Sequence, residues 1–493
     1  MTLDAIDATA RSFPAALLLA EPGAAPCQTD VAIEVSGGKI AGIREAAGAG
    51  AGRVVLPALV NAHDHGRGLR HLAYGAANAP LELWRPALYA HPPLDMYANA
   101  ALAFGRLALA GFGSVVHVHS TIDVDRLADE AEQVCRAARD IGIRLAFVVP
   151  LRDKRTMTLA EDEAFVELHE PGDRAFIRQT FLRPFPGPDV YVQLVREIAA
   201  RCEGGLVTVQ YGPNSPQACS DALLEATAAA SAEDGRRIHT HLLETRYQRQ
   251  WADAAYPHGY LPHLDALGLL SPRFTGAHGV WLDEAECALM AERGASVAIN
   301  TASNLRLRSG IAPVAGFLRH GVHFAMGIDS AALDDDDDGW RDLRLTQHLH
   351  NLPGREPALT TAAAFRAATT GGAVVCSNRA APPGLAAGAP ADFVSMDYAA
   401  MAGDVIEGLV DEAEVVLARA TKGRVRDLVV AGRPVVTDGR LPGIDLPAVE
   451  REVAAAAEAA RGRMHAIQPF LKRHQSVIAA FLARDGHRGG TPG

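Results

Sequence analysis

Lysine is nearly absent from this chain. Among 493 residues only Lys39, Lys154, Lys422 and Lys472 carry an ammonium group, and arginine supplies the remaining positive charge. The formal net charge of -11 argues against a nucleic-acid or anionic-membrane partner. No apolar run is long enough to span a bilayer. The first residues, Met1-Thr2-Leu3-Asp4-Ala5-Ile6-Asp7, place acids where a secretory signal carries a basic region. The six cysteines, Cys27, Cys135, Cys202, Cys219, Cys287 and Cys376, form no C-x-x-C pair and are widely scattered. That pattern indicates reduced, mostly buried thiols and a cytoplasmic setting. No G-x-G-x-x-G follows an early strand, and the stretch Ala46–Gly52 is not followed by Lys-Ser/Thr, so neither nucleotide cradle is present.

What remains is an enzyme-sized globular composition, 48% apolar and 21% charged. One large domain with a smaller companion is expected at this length. Residues up to about 55 read as short strands, with Ser36-Gly37-Gly38-Lys39 as a turn. Strand-like runs then alternate with helical periodicity. The strands are Val54–Asn61, Gly113–Val118, Arg144–Pro150, Leu206–Tyr211, Arg237–His241, Phe274–Gly279, Ala295–Asn300 and Val322–Asp329. Helices such as Asp123–Ile141, Ser220–Asp234 and Asp283–Gly294 lie between them. The alternation predicts an α/β fold, a (β/α)8 TIM-type barrel over 56–384. Strands return at Asp392–Asp397, Val425–Val430 and Pro434–Asp438. The two chain ends, 1–55 and 385–443, are therefore expected to build one small β-sandwich domain. The tail, 444–493, reads as two helices that pack on the barrel or on a partner subunit.

Barrel chemistry sits at the C-terminal ends of the strands. The first strand ends in His63-Asp64-His65; side chains alternate along a strand, so both imidazoles share one face. That pair alone fits two half-buried core histidines as well as half a metal site. Strand five ends in His239-Thr240-His241 with Glu244 three residues on, strand six carries His278, and strand eight ends in Asp329. Three imidazoles and a carboxylate make a sound site for a first-row divalent ion with room for a water. Such an ion brings a bound water's pKa from about 15.7 to about 7.

These segments together resemble the amidohydrolase superfamily, in the branch of triazine hydrolases and guanine, 8-oxoguanine, cytosine and S-adenosylhomocysteine deaminases. The resemblance runs through Leu56–His65, Tyr211–Pro216, Ile238–Thr245, Ala277–Leu282, Ala302–Leu307, Gly327–Ser330 and Gly388–Asp392. It implies that His63, His65, His241 and Asp329 bind one divalent ion, Zn or Fe. It further implies that Asp329 takes a proton from the attacking water, that Glu244 passes protons to a ring nitrogen and the departing amine, and that His278 orients the nucleophile. The position three residues before the glutamate selects His241 over His239. Binuclear relatives commonly carry a bridging lysine at the end of strand four, and Leu206–Tyr211 has none, so one metal is expected. Ile299 and Thr301 stand where relatives commonly show a histidine and a proline, and Asp64 is unusual between the two histidines. These departures bear on the substrate rather than on the metal site.

Arg67, Trp84, His117, His119, Asn214 and Asn304 are candidate substrate contacts, the first four each with an alternative. Arg67 fits a surface ion pair equally well, Trp84 fits ordinary packing, and His117 and His119 fit closure of the barrel top. The acidic run Asp334–Asp338 is expected to cap the following helix. The expected function is hydrolytic deamination of a purine-, pterin- or triazine-like heterocycle. Amide, urea or carbamate hydrolysis on the same metal is the alternative, and a non-catalytic assembly protein the remote one. The partner is a small-molecule substrate, with a homo-oligomer, dimer or higher, as the expected assembly.

Overall fold

The computed structural model describes the chain except residues 1–9, 49, 51, 122, 155–156, 160–161, 183, 331–334, 352–357, 378–383 and 490–493. Seven strands form a mixed sheet from both chain ends. Before the barrel come β1 (Arg11–Leu18), β2 (Gln28–Ser36), β3 (Lys39–Glu45) and β4 (Arg53–Pro57). The barrel strands are β5 (Leu59–Asp64), β6 (Phe112–Val118), β7 (Arg144–Leu151) and β8 (Val207–Pro213), then β9 (Ile238–Leu242), β10 (Phe274–His278), β11 (Ser296–Ile299) and β12 (His323–Met326). After the barrel, β13 (Phe393–Asp397), β14 (Val425–Val430) and β15 (Arg433–Val436) complete the small sheet in the order β15-β14-β13-β4-β1-β2-β3.

The stretch read as one first strand is two. Arg53–Pro57 pairs with β13 and β1 in the small sheet, whereas Leu59–Asp64 pairs with β6 in the barrel. At the junction the Ala58 N–H donates to the Asp392 carbonyl and the Leu59 N–H to that of Gly111. A continuous apolar run cannot show such a change of sheet, because both halves are buried on both faces.

The eight barrel strands are parallel and follow chain order from β5 to β12. The ends meet through Asp329, whose N–H donates to the His63 carbonyl at 2.9 Å, and through the Ile328 N–H on the Asn61 side chain at 3.0 Å. Gly327 permits that approach: a Cβ there would lie 2.8 Å from the His63 nitrogen and 2.9 Å from its carbonyl oxygen. The barrel interior is filled by small residues such as Val60, Ala62, Val116, Ala277, Ala298 and Ala325. Near its N-terminal end the helix Thr370–Cys376 presents carbonyls to Thr208 and Gln210. A separate apolar cluster joins the long segment after β5 (Leu69, Tyr74, Trp84) to the tail (Leu446, Val453, Phe470, Leu471). The tail forms the helices Leu446–Ala459 and Arg461–Ala483 and packs on its own barrel top.

Candidate metal centre and active-site cavity

Strand alternation carries His63 and His65 to one side of β5, and β9 and the turn after β12 bring His241 and Asp329 beside them. The ligand atoms of His63, His65 and His241 lie within 4.8 Å of one another, as do those of His63, His278 and Asp329. Asp329 Oδ1 stands 3.3 Å from His63 Nε2 and 3.1 Å from His65 Nε2. Carbonyl groups set the tautomers, since a carbonyl can only accept. His65 Nδ1 donates to Val118 at 2.9 Å and His241 Nδ1 to Asn214 at 2.5 Å, leaving each Nε2 with its lone pair. His63 Nδ1 lies 2.8 Å from His239 Nε2, so His239 stands behind the cluster and orients His63.

Electrostatics keeps these groups in their ligating forms. Burial lowers the His63 imidazole to about 4 and holds His241 and His239 well below the ordinary range, so all three are neutral at pH 7. Burial alone would raise Asp329, but the His63 and His65 imidazoles beside it carry it well below the usual carboxylate range. The buried Nε2 atoms of His63 and His278 have no hydrogen-bond partner among the described residues. Imidazole nitrogens converging on an anionic oxygen, two of them without a hydrogen-bond partner, fit a divalent cation. Strand four, Val207–Pro213, contains no lysine; Gln210 occupies its interior face.

Glu244 follows β9 and is buried, 4% exposed. Its Oε1 accepts from the Ser309 hydroxyl at 3.1 Å, and its Oε2 lies 3.8 Å from His278 Nε2. Burial pushes its pKa up, opposed chiefly by His278. His278 Nδ1 is 2.9 Å from Asn304 Oδ1, which fixes the ring with Nε2 toward Glu244. His278 (φ 71°) and Asp329 (φ 53°) both occupy the left-handed region. For non-glycine residues that costs about 1–3 kcal/mol each and is typical of sites where geometry is imposed by function.

Above the cluster opens a cavity of about 1150 Å3. Arg67, Trp84, His117, His119 and Asn214 line it. Asn304 does not; it stands behind His278, because its carbonyl oxygen is occupied in orienting that ring. Arg67 donates to His71 Nε2 at 2.6 Å and forms no ion pair among the described residues. Trp84 donates to the Ala76 carbonyl and packs edge-to-face on His71 with centroids 4.9 Å apart. His117, His119 and Glu130 form a chain, 3.1 Å and then 3.0 Å between successive polar atoms.

Comparison with known proteins agrees with this arrangement. A profile described as Amidohydrolase family matches residues 54–435. The chain belongs to that family. A 5'-deoxyadenosine deaminase of Methanosarcina mazei is 27% identical to this amidohydrolase over 413 residues, 83% of this chain and 86% of the relative. A 5-methylthioadenosine/S-adenosylhomocysteine deaminase of Nitratidesulfovibrio vulgaris is 33% identical over 241 residues, 48% of this chain and 53% of the relative. Among solved structures, an adenosine deaminase from Xanthomonas campestris with bound zinc superposes with a TM-score of 0.74 at 23% identity, covering 92% of this chain and 98% of that one. The atrazine chlorohydrolase TrzN from Arthrobacter aurescens, complexed with zinc, gives 0.76 at 21% identity, covering 90% and 99%. At such identities these structures speak for the fold.

Several residues of this amidohydrolase's site escape a sequence reading. Asp64 is buried and accepts from the Asn61 amide at 2.6 Å, the Gly66 N–H at 2.7 Å, the Ser330 N–H at 3.1 Å and the Ser330 hydroxyl. It thus ties the turn after β5 to the turn that carries Asp329. Only its Asp-x-Gly spacing, an Asx-turn signal, was available in the sequence. Ser303 donates to Asp329 Oδ2 at 2.6 Å, and Ser309 serves Glu244; nothing local marks either. In the acidic run, Asp338 caps the helix Gly339–Leu349, Asp336 and Asp337 pair with Lys422 and Arg70, and Asp334 lies outside the described residues. Ile299 is buried at the end of β11, and the Thr301 hydroxyl is bonded to that of Thr346 at 2.8 Å.

Proposed function

We propose that this amidohydrolase deaminates a nitrogen heterocycle, using one divalent ion, zinc or iron, held by His63, His65, His241 and Asp329. Such an ion would supply Lewis acidity that makes a water nucleophilic at neutral pH. Asp329, kept anionic by its histidine neighbours, would receive the proton of the attacking water. His278 would orient the nucleophile through its free Nε2. Glu244 carries the reading: it is a buried carboxyl whose proton is favoured, beside His278 and facing the cavity. Attack on an amidine-like carbon needs an acid for the ring nitrogen and a donor for the leaving amine, and one carboxyl can serve both in turn. Arg67, Trp84, His117, His119 and Asn214 would touch the substrate from the cavity wall. Names of the relatives, deaminases of adenine-containing nucleosides, support an adenine-type ring.

The six unpaired cysteines support a cytoplasmic setting. A homo-oligomer is supported by Ile406 and Leu409, 70% and 72% exposed in one surface segment. The deciding experiment is an ammonia-release screen of the metal-loaded protein against aminopurines, aminopterins and aminotriazines, with ureas and carbamates alongside. Ammonia from a heterocyclic amine is expected. Cleavage of a carbamate with no heterocycle turned over would instead establish the amide-type reaction. Elemental analysis of His241→Ala checks the metal assignment: occupancy should fall, and undiminished metal content contradicts it.

A further inference from the structure

The cavity exceeds what a bare heterocycle occupies: about 1150 Å3, against the roughly 300–1,000 Å3 common for small-molecule sites. Part of its lining comes from two segments distant in sequence. The segment after β5 contributes Arg67, Tyr74 and His91, and the helix Arg461–Ala483 contributes Arg463.

These groups lack an anionic partner among the described residues. Arg67 donates to His71, an imidazole that burial and the Arg67 charge keep neutral. The Tyr74 hydroxyl, in a residue only 3% exposed, lies beside the Arg67 guanidinium and finds no acceptor among the described residues. Its ring packs edge-on to His91, with centroids 5.1 Å apart. Arg463 is exposed, lines the cavity and makes no ion pair among the described residues. Burial first, and then the charges of Arg67 and Arg463, hold His91 at about 4, so both guanidinium groups lie within electrostatic reach of one neutral ring. The acids nearby are committed elsewhere. Asp173 is held by Arg473 at 2.7 and 2.8 Å, Glu130 by His119 at 3.0 Å, and Asp335 by Arg306 at 3.1 Å, while Asp95 caps its helix. Guanidinium groups in such a cavity ordinarily face an anion, and among the described residues no carboxylate pairs with Arg67 or Arg463.

We infer that this wall is an anion subsite, where Arg67, the Tyr74 hydroxyl and Arg463 receive a carboxylate or phosphate carried by the substrate beyond its ring. The inference rests on the proposed deamination for the identity of the ring, and on the wall itself for the charge. Planar guanidinium groups suit both anions.

The test offers the zinc-loaded full-length protein two matched pairs: adenosine with adenosine 5'-phosphate, and pterin with pterin-6-carboxylate. In at least one pair the anionic member should be preferred in kcat/KM by about tenfold or more, and which pair shows it identifies the anion. Arg67→Met and Arg463→Met should each lower that preference by about tenfold, mainly through KM. Equal turnover of neutral and anionic members overturns the subsite and leaves deamination standing, as does a preference that survives both substitutions. If no member releases ammonia, deamination fails and the subsite is judged by calorimetric binding of the same four compounds. Tighter binding of an anionic member that Arg463→Met abolishes upholds it; equal binding overturns it.

Discussion

Replacing Glu244 by glutamine separates proton chemistry from architecture. The amide is isosteric, and its carbonyl can accept from Ser309 as Glu244 Oε1 does at 3.1 Å. The backbone N–H of residue 244 keeps its bond to Gln248 at 2.7 Å. The stability cost should therefore stay near that of one neutral hydrogen bond, about 1 kcal/mol or less. Metal content should not change, because Glu244 is outside the proposed four-residue ligand set. What disappears is a proton donor. General acid–base catalysis contributes about 10²–10⁴-fold, or roughly 2.7–5.4 kcal/mol of barrier at 1.36 kcal/mol per tenfold. Steady-state ammonia release should show kcat reduced by that factor with KM little altered. The pH profile adds an independent reading. Burial raises Glu244, so its acid form persists to higher pH than an ordinary carboxyl. Activity that needs the proton is present below the raised pKa and is lost as pH rises through it. The glutamine variant should lack that alkaline limb. A variant within about tenfold of wild type, with the limb intact, would refute the assignment. Loss of metal would place Glu244 in the metal site instead.

Three further perturbations probe the scaffold. Ser303→Ala removes the hydroxyl that holds Asp329 Oδ2 at 2.6 Å; metal affinity should fall by about 10–100-fold in chelator competition, and unchanged affinity would deny Ser303 a part in positioning the ligand. Asp64→Asn turns one acceptor into a donor facing donors, whichever way the amide is placed. With two charge-assisted bonds lost, about 3–5 kcal/mol should go, seen as a lower Tm together with reduced metal occupancy. Gly327→Ala forces a Cβ against the His63 backbone and should leave no soluble folded protein, whereas Gly172→Ala meets open space and should express and melt like wild type.

The parts of this molecule legible in its sequence are those where the physics is local. Alternation along a strand places His63 beside His65 whatever the rest of the chain does, and the turn from strand to helix periodicity marks each barrel unit. Hence the eight strands, their order and the convergence of His63, His65, His241 and Asp329 could be anticipated. Tertiary contacts could not. The break at Ala58 is invisible because both flanking halves are buried, and only the positions of β13 and β6 reveal that they belong to different sheets. Asn304 sits in a segment that reads as substrate-facing, yet it spends its oxygen on His278. Asp64 is the sharpest case. Between two metal-type histidines an extra carboxylate reads as an anomaly that bears on the substrate. In the structure it instead joins Ser330 across 266 residues and so fixes the turn that presents Asp329. A site whose ligands come from opposite ends of a barrel needs such a clasp at the seam between first and last strands. The same reasoning applies to the roof. Arg463 acquires meaning only when the tail helix is seen lining one cavity with Tyr74 and Arg67, so the part of the chain proposed to select a substrate is the part least written into any local pattern.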